Sequence, residues 1–330
     1  MKALLQKLFQ QHYLSYEEAK SSLMMITTQQ VNIAQLASFL TVFRMRPIAR
    51  QELEGFRDAL LELCRPISLD QHDCVDMCGT GGDGKDTFNI STLAAVVVAG
   101  AGYKVAKHGN YGVSSVCGSS NVLEKTGYIF SNQNSVLEKQ LDKHHLCFLH
   151  APLFHPVMKA VGPVRNQLGL RTFFNLLGPM VNPAQPQKQV VGVADLHILR
   201  LYQYVLQQTN RNYAIVHSLD GYDEVSLTGE FKLVTPQSEQ VLSPQQLGKN
   251  VNKSIDLHGG SSIKESAAIF MNILNAKGNK AQNDVVCANA GIAIQRFRPA
   301  RSLEDCIDEA ETALFSKKAY KNYISLVETI

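Results

Sequence analysis

The sequence predicts an α/β protein, with a small all-helical N-terminal domain followed by a large domain whose mostly parallel central sheet is covered by helices. Three observations predict it. Residues 1–68 read as helices only. From about residue 72, short β-rich runs alternate with helical stretches, the pattern of a parallel sheet with crossover helices. The glycine-, histidine- and acid-bearing motifs fall at the ends of those runs, where open α/β sheets gather their ligands.

Each element has a local reason. Ser15 and Glu18 form an S-x-x-E capping box ahead of EEAKSSLMMI, and Asn32 is placed to cap NIAQLASFLTVFRMR. RQELEGFRDALLELC repeats the helical period and stops before Pro66. Three such short amphipathic helices bury little alone, so the module needs the larger domain, or a second copy of itself, to cover its apolar faces. The expected strands are CVDMC (74–78), YKVAKHG (103–109), HLCFLHAP (145–152), QKQVVGVAD (187–195), RNYAIVHSLDG (211–221) and NDVVCANAGIAI (283–294). ISTLAAVVVAGAG (90–102) is a helix between the first two. Residues 155–184 are expected as two helical pieces broken at Gly162-Pro163 and Gly178-Pro179, and the tail from Ser302 is helical. The division is a helical domain, 1–68, with segment 155–182 packing against it, and an α/β domain, 69–330.

Bulk composition narrows the class. Apolar residues make up 45% and charged residues 18% of 330, the make-up of an ordinary globular protein. A formal charge of +3 with no basic run argues against nucleic acid as a partner. No apolar run approaches the roughly 18 residues needed to cross a bilayer, and the N-terminus has no signal-peptide pattern, so no membrane partner is expected. Seven cysteines are scattered without a C-x-x-C pair, which suits a reducing cytoplasm and gives no metal framework.

The stretch VDMCGTGGDGKDTFNIST, residues 75–92, fits three phosphate loops. A Walker A loop needs Ser or Thr after its Lys to ligate Mg²⁺, and here Asp86 follows Lys85. A dinucleotide loop needs an acid about 20 residues on, and none occurs from Thr87 through Val122. A sugar-phosphate cradle explains more letters. Glycine-loop N–H groups and a helix N-terminus hold anions, and Asn89, Ser91 and Thr92 add polar oxygens and an amide. The next strand end adds KHGNYGVSS, with Lys107, Asn110, Ser114 and Ser115. The plain alternative is a pair of glycine turns.

These residues carry a resemblance. GTGGD…TFNIST, KHGN…VSS…GSSNVLE, the HP-MK…PVR…LG-RT-FNLLGP…NPA segment and DGYDEVSLTG, in this order and spacing, are similar to the anthranilate phosphoribosyltransferase family. The likeness runs nearly the whole chain, from LSYEEA to SLEDCIDEA. It implies transfer of phosphoribose from 5-phosphoribosyl 1-pyrophosphate to the amine of anthranilate, with release of pyrophosphate, in tryptophan biosynthesis. It implies phosphoribosyl-pyrophosphate contacts at Gly79, Gly82, Asp83, Thr87, Asn89, Ile90, Ser91 and Thr92 on the first loop. On the second loop it implies Lys107, His108, Gly109, Asn110, Tyr111, Gly112, Val113, Ser114, Ser115 and Ser119. Anthranilate would be recognised by Gly79, Asn110 and Arg165. Mg²⁺, two ions per subunit, would sit at Ser91, Asp223 and Glu224, and a homodimer would form through the helical domain.

The chemistry of the residues is compatible with those roles. Adjacent carboxylates are hard oxygen ligands suited to Mg²⁺, although an Asp-Glu pair is more commonly a solvated loop. A guanidinium clamps a carboxylate with two parallel hydrogen bonds, although one Arg in a helix is more commonly at the surface. His108 and His155 are placed to line the aromatic site, or, for His155, to cap a helix. An aromatic amine is a weak nucleophile, so departure of pyrophosphate leads, and no general base is assigned. The chain departs from the family at Tyr111-Gly112, where an Arg is common, at Cys117, where a Ser is usual, and at Asn121, where an Asp is usual. Competing readings are a nucleoside phosphorylase of the same fold and a non-catalytic nucleic-acid-binding relative. The second requires a basic surface and loss of the Asp223-Glu224 pair.

Overall fold

The computed structural model describes residues 1–112 and 116–329. Cys74–Met77 (β1), Lys104–Gly109 (β2), Leu146–His150 (β3), Lys188–Gly192 (β4), Asn212–Ser218 (β5), Phe231–Val234 (β6) and Glu239–Leu242 (β7) form one sheet. Their order is β3-β2-β1-β4-β5-β6-β7. The first five are mutually parallel, and β6 and β7 add an antiparallel edge. From β1 the chain builds outward through β2 and β3, then returns to start β4 on β1's other side. That reversal opens a crevice beyond the carboxyl ends of β1 and β4. The edge pair β6–β7 has no counterpart in the sequence reading; both strands are only four residues long.

The N-terminal module has four helices, Lys2–Phe9, Tyr16–Thr27, Ile33–Met45 and Arg50–Leu63, one more than expected. The local caps form as read. Ser15 Oγ accepts from the Glu18 N–H and the Glu18 carboxylate accepts from the Ser15 N–H, and Asn32 Oδ1 accepts from the Gln35 N–H. Phe39, Phe43 and Phe56 meet Phe173 of the later segment, with Phe56 and Phe173 stacked at 4.4 Å between centroids. The same apolar cluster takes in Val157, Val161 and Val164 and runs on to Tyr202, Tyr213 and Ile215 beside the sheet. The module thus covers its apolar faces against the large domain.

Two expectations are corrected. Residues 283–294 are not a strand but the middle of the helix Lys280–Phe297, capped by Asn279. This helix is buried on all sides, so its apolar residues show no 3.6-residue stripe and a short window reads equally as a buried strand. Its small residues serve close packing: a Cβ on Gly291 would lie 2.5 Å from Ile307 Cγ1. Gly162-Pro163 does not break its segment, because Val157–Leu168 is one helix. Pro163 and Lys159, whose carbonyl loses its partner to the proline, are both exposed, while Val157, Val161 and Val164 bury the opposite face. The helix does end at Gly169, and Gly178–Met180 forms a separate 3₁₀ turn.

Candidate active site

Beyond β1 the chain turns through the glycine loop into the helix Ile90–Gly100. Gly81, Gly82 and Gly84 have φ of 66°, 84° and 70°, a left-handed run that glycine adopts without Cβ strain. The loop is tied to the segment after β5. The Gly81 N–H donates to Asp223 Oδ2 at 2.7 Å, and the Ser91 N–H, in the first turn of the helix, donates to Glu224 Oε1 at 2.9 Å. Gly79 must lack a side chain, since a Cβ there would lie 2.5 Å from Asp223 Oδ2. Gly79→Ala is therefore expected to displace Asp223 and lower kcat by about tenfold or more, with a melting temperature only slightly reduced. Steady-state kinetics beside a thermal melt checks it, and unchanged kcat would refute the contact.

Asp223 and Glu224 stand side by side with little water. Burial, reinforced by the charge of Asp83, pushes Asp223 up to about 7. Loss of water, then the neighbouring Asp223, holds Glu224 well above the usual carboxylate range. Two carboxyls held at such cost suit a cation. No group of three or more His, Cys, Asp or Glu side chains forms a metal cage among the described residues. The donor set thus fits Mg²⁺, which binds through one or two carboxylates and fills its octahedron with waters and phosphate oxygens.

The second wall is the end of β2. Lys107 is buried, its Nζ donating to Met77 O and lying 3.5 Å from Ser91 Oγ, so a cation sits beneath the glycine loop. The His108 N–H donates to the buried Asp76 carboxylate at 3.0 Å. His108 Nδ1–H donates to Gly178 O and His155 Nε2–H donates to Val181 O, leaving His108 Nε2 and His155 Nδ1 without partners among the described residues. Burial lowers His108 to about 4 and His155 to about 3, so both rings are neutral hydrogen-bond acceptors near pH 7. Asn121 Oδ1 accepts from both the Gly112 and Gly118 N–H groups, at 2.9 and 3.0 Å. Tyr111 packs edge-on against His150.

The third wall comes from helix 157–168 and the turn after it. Arg165 is buried, donates from Nη2 to Asn175 Oδ1 at 3.2 Å, and lies over the Phe174 ring. Burial draws its guanidinium down to about 10, leaving it charged at neutral pH. The three walls enclose one cleft of about 430 Å³. It brings together Gly79, Gly82, Asp83, Thr87, Asn89, Ile90, Ser91 and Thr92 with Lys107, His108, Gly109, Asn110, Tyr111, Gly112 and Ser119, and with Arg165, Asp223 and Glu224. Val113, Ser114 and Ser115 lie outside the described residues. His155 lines the same cleft. Leu60, Met158, Arg171 and Phe174 also line it without having been singled out. Nothing local marks an apolar helix residue as a cleft wall, and Arg171 carried a signal only as part of the LG-RT-FN stretch.

A two-part chain with this crevice belongs among the glycosyl transferases. Residues 71–320 match the model of the glycosyl transferase family, a/b domain, and residues 2–64 match that family's helical bundle domain. Anthranilate phosphoribosyltransferase of Flavobacterium johnsoniae is 55% identical over 328 residues, 99% of each chain. That of Christiangramia forsetii is 54% identical over 99% of this chain and 98% of its own. The crystal structure of the Thermus thermophilus enzyme, 32% identical, superposes with a TM-score of 0.89 over 98% of each chain. The Saccharomyces cerevisiae enzyme in complex with PRPP and Mg, 25% identical, also gives 0.89, over 99% of this chain and 97% of that one. This chain belongs to the anthranilate phosphoribosyltransferase family.

Proposed function

We propose that this enzyme transfers the phosphoribosyl group of 5-phosphoribosyl 1-pyrophosphate to the amine of anthranilate, releasing pyrophosphate, as a step of tryptophan biosynthesis. One observation carries the reading: two carboxylates fastened to a glycine loop and a helix N-terminus face a buried arginine across a single cleft. The loop from Gly79 to Thr92 and the strand end from Lys107 to Ser119 hold the phosphoribosyl pyrophosphate through N–H donors, hydroxyls and the Lys107 cation. Asp223, Glu224 and the Ser91 hydroxyl would hold Mg²⁺, which when bound neutralises charge on the phosphate oxygens. We propose two ions per subunit at these residues. Arg165, with Asn110 and the backbone at Gly79, orients anthranilate by its carboxylate. His108 and His155 are too weakly basic to take a proton from the amine ahead of bond breaking, and act as acceptors that orient it. Departure of pyrophosphate therefore leads, and positioning of the amine does the rest.

Anthranilate fluorescence is expected to fall only when the phosphoribosyl substrate and Mg²⁺ are both present. No loss under those conditions would sink the reading. Arg165→Gln is expected to raise KM for anthranilate by roughly 10- to 100-fold, the loss of one charged hydrogen-bonded contact, with KM for the phosphoribosyl substrate nearly unchanged. Equal rises in both constants would contradict the assignment.

The division at residues 68 and 69 is proposed with this function. So is a homodimer through the helical domain, where Phe9, Ile33 and Met45 are 58, 67 and 76% exposed. A second copy covering them would remove that apolar surface from water. A cytoplasmic setting is proposed from seven free cysteines.

A further inference from the structure

Segment 169–173 brings a second arginine into the cleft, and its placement differs from that of Arg165. Gly169, in the left-handed region at φ 60°, ends helix 157–168 and turns the chain back. Asn175 Oδ1 then accepts from both Arg165 Nη2 and the Thr172 N–H, each at 3.2 Å, so one amide oxygen sets the positions of both arginine-bearing stretches. Arg165 lies over Phe174. Arg171 instead reaches across the cleft and lays its guanidinium on Gly82: a methyl placed there would overlap Nη2, Cζ and Nε together. The positive charge of Arg171 also acts on Asp223. Yet Arg171 makes no ion pair within 4 Å among the described residues.

A planar fork of donors, held over a glycine-loop backbone and beside metal-binding carboxylates, is the group that matches two oxygens of a phosphate. We propose that Arg171 is a pyrophosphate-binding residue that stabilises the leaving group as its charge grows. The inference rests on the phosphoribosyl transfer proposed above. It divides the two arginines by task, Arg165 for the aromatic carboxylate and Arg171 for the pyrophosphate. Gly82 gains a second reason to lack a side chain, since any Cβ would evict the guanidinium.

The test titrates Mg²⁺ and inorganic pyrophosphate into the full chain by calorimetry, comparing wild type with Arg171→Gln, Arg171→Lys and Arg165→Gln. Arg171→Gln is expected to weaken pyrophosphate binding by roughly 10- to 100-fold. It should raise KM for the phosphoribosyl substrate in step while KM for anthranilate stays put. Arg171→Lys should recover part of the loss, because a point charge replaces the fork, and Arg165→Gln should bind pyrophosphate as wild type does. Pyrophosphate binding by Arg171→Gln at wild-type affinity would overturn the proposal. So would a loss that Arg165→Gln reproduces. If wild type binds pyrophosphate through Arg171 but never consumes anthranilate, the acceptor reading fails while the Arg171 site stands.

Discussion

Replacing Asp223 by Asn together with Glu224 by Gln is expected to lower Mg²⁺-dependent kcat/KM by at least roughly 100-fold while the protein stays folded. The amides keep the shape of the carboxylates, and their oxygens still accept from the Gly81 and Ser91 N–H groups. What is lost is charge. The same pair imposes a pH dependence whose sign follows from Asp223 lying near 7 in the metal-free protein. Below that pH a bound proton must leave before Mg²⁺ enters, so apparent metal affinity drops by up to about tenfold per unit as pH falls below 7. Stability of the metal-free protein runs the other way. A carboxyl raised in the folded state holds its proton there more tightly than in the unfolded chain. Its favourable contribution is therefore complete below the ordinary carboxylate range and is lost as pH rises through about 7. Thermal melts of metal-free wild type should show a decline in melting temperature between about pH 4 and 7 that the double variant lacks. Identical profiles would show that the pair does not carry the charge assigned to it.

Glu52→Ala is expected to cost about 3–5 kcal/mol of stability, the range for stripping one partner from a buried ion pair. Glu52 is fully buried and accepts from both Arg46 Nη atoms and from the Leu14 and Ala49 N–H groups. Its loss leaves the Arg46 charge and the Leu14 N–H without a carboxylate in a closed interior, the guanidinium keeping only neutral neighbours among the described residues, the Pro47 carbonyl and the Tyr13 and Phe43 rings. The i,i+4 pair Arg50–Glu54, with an exposed arginine and a half-buried carboxylate, is the control: Glu54→Ala should change stability by only about 0.5 kcal/mol. Urea denaturation of both variants decides it, and a Glu52→Ala loss below 1 kcal/mol would show that the buried pair does not hold the helical module together. Leu60, on the helix that carries Glu52, lines the catalytic cleft, so the variant should also inactivate at a lower temperature.

Local chemistry made much of this protein legible. Caps need only a side chain and an N–H three residues away, so Ser15, Glu18 and Asn32 announced their helices. Left-handed turns need glycine, so the loop after β1 stood out before any contact was known. A run with β propensity bounded by turn residues locates a strand, and five of the six expected strands form where they were read. Burial, by contrast, is a property of the whole molecule. It erased the stripe that would have marked residues 280–297 as a helix, and it let Val157–Leu168 pass through a proline on its exposed side.

The sequence by itself determined the two-part α/β architecture, the capped helices and the glycine loop, because each depends on residues within a few positions of one another. Only the tertiary structure decided that Glu52 neutralises Arg46 inside the helical module, that Asp223 and Glu224 are held by N–H groups more than a hundred residues away, and that Arg171 lies across Gly82. Charge and desolvation act through space, and the side chains they join are brought together only when the chain folds.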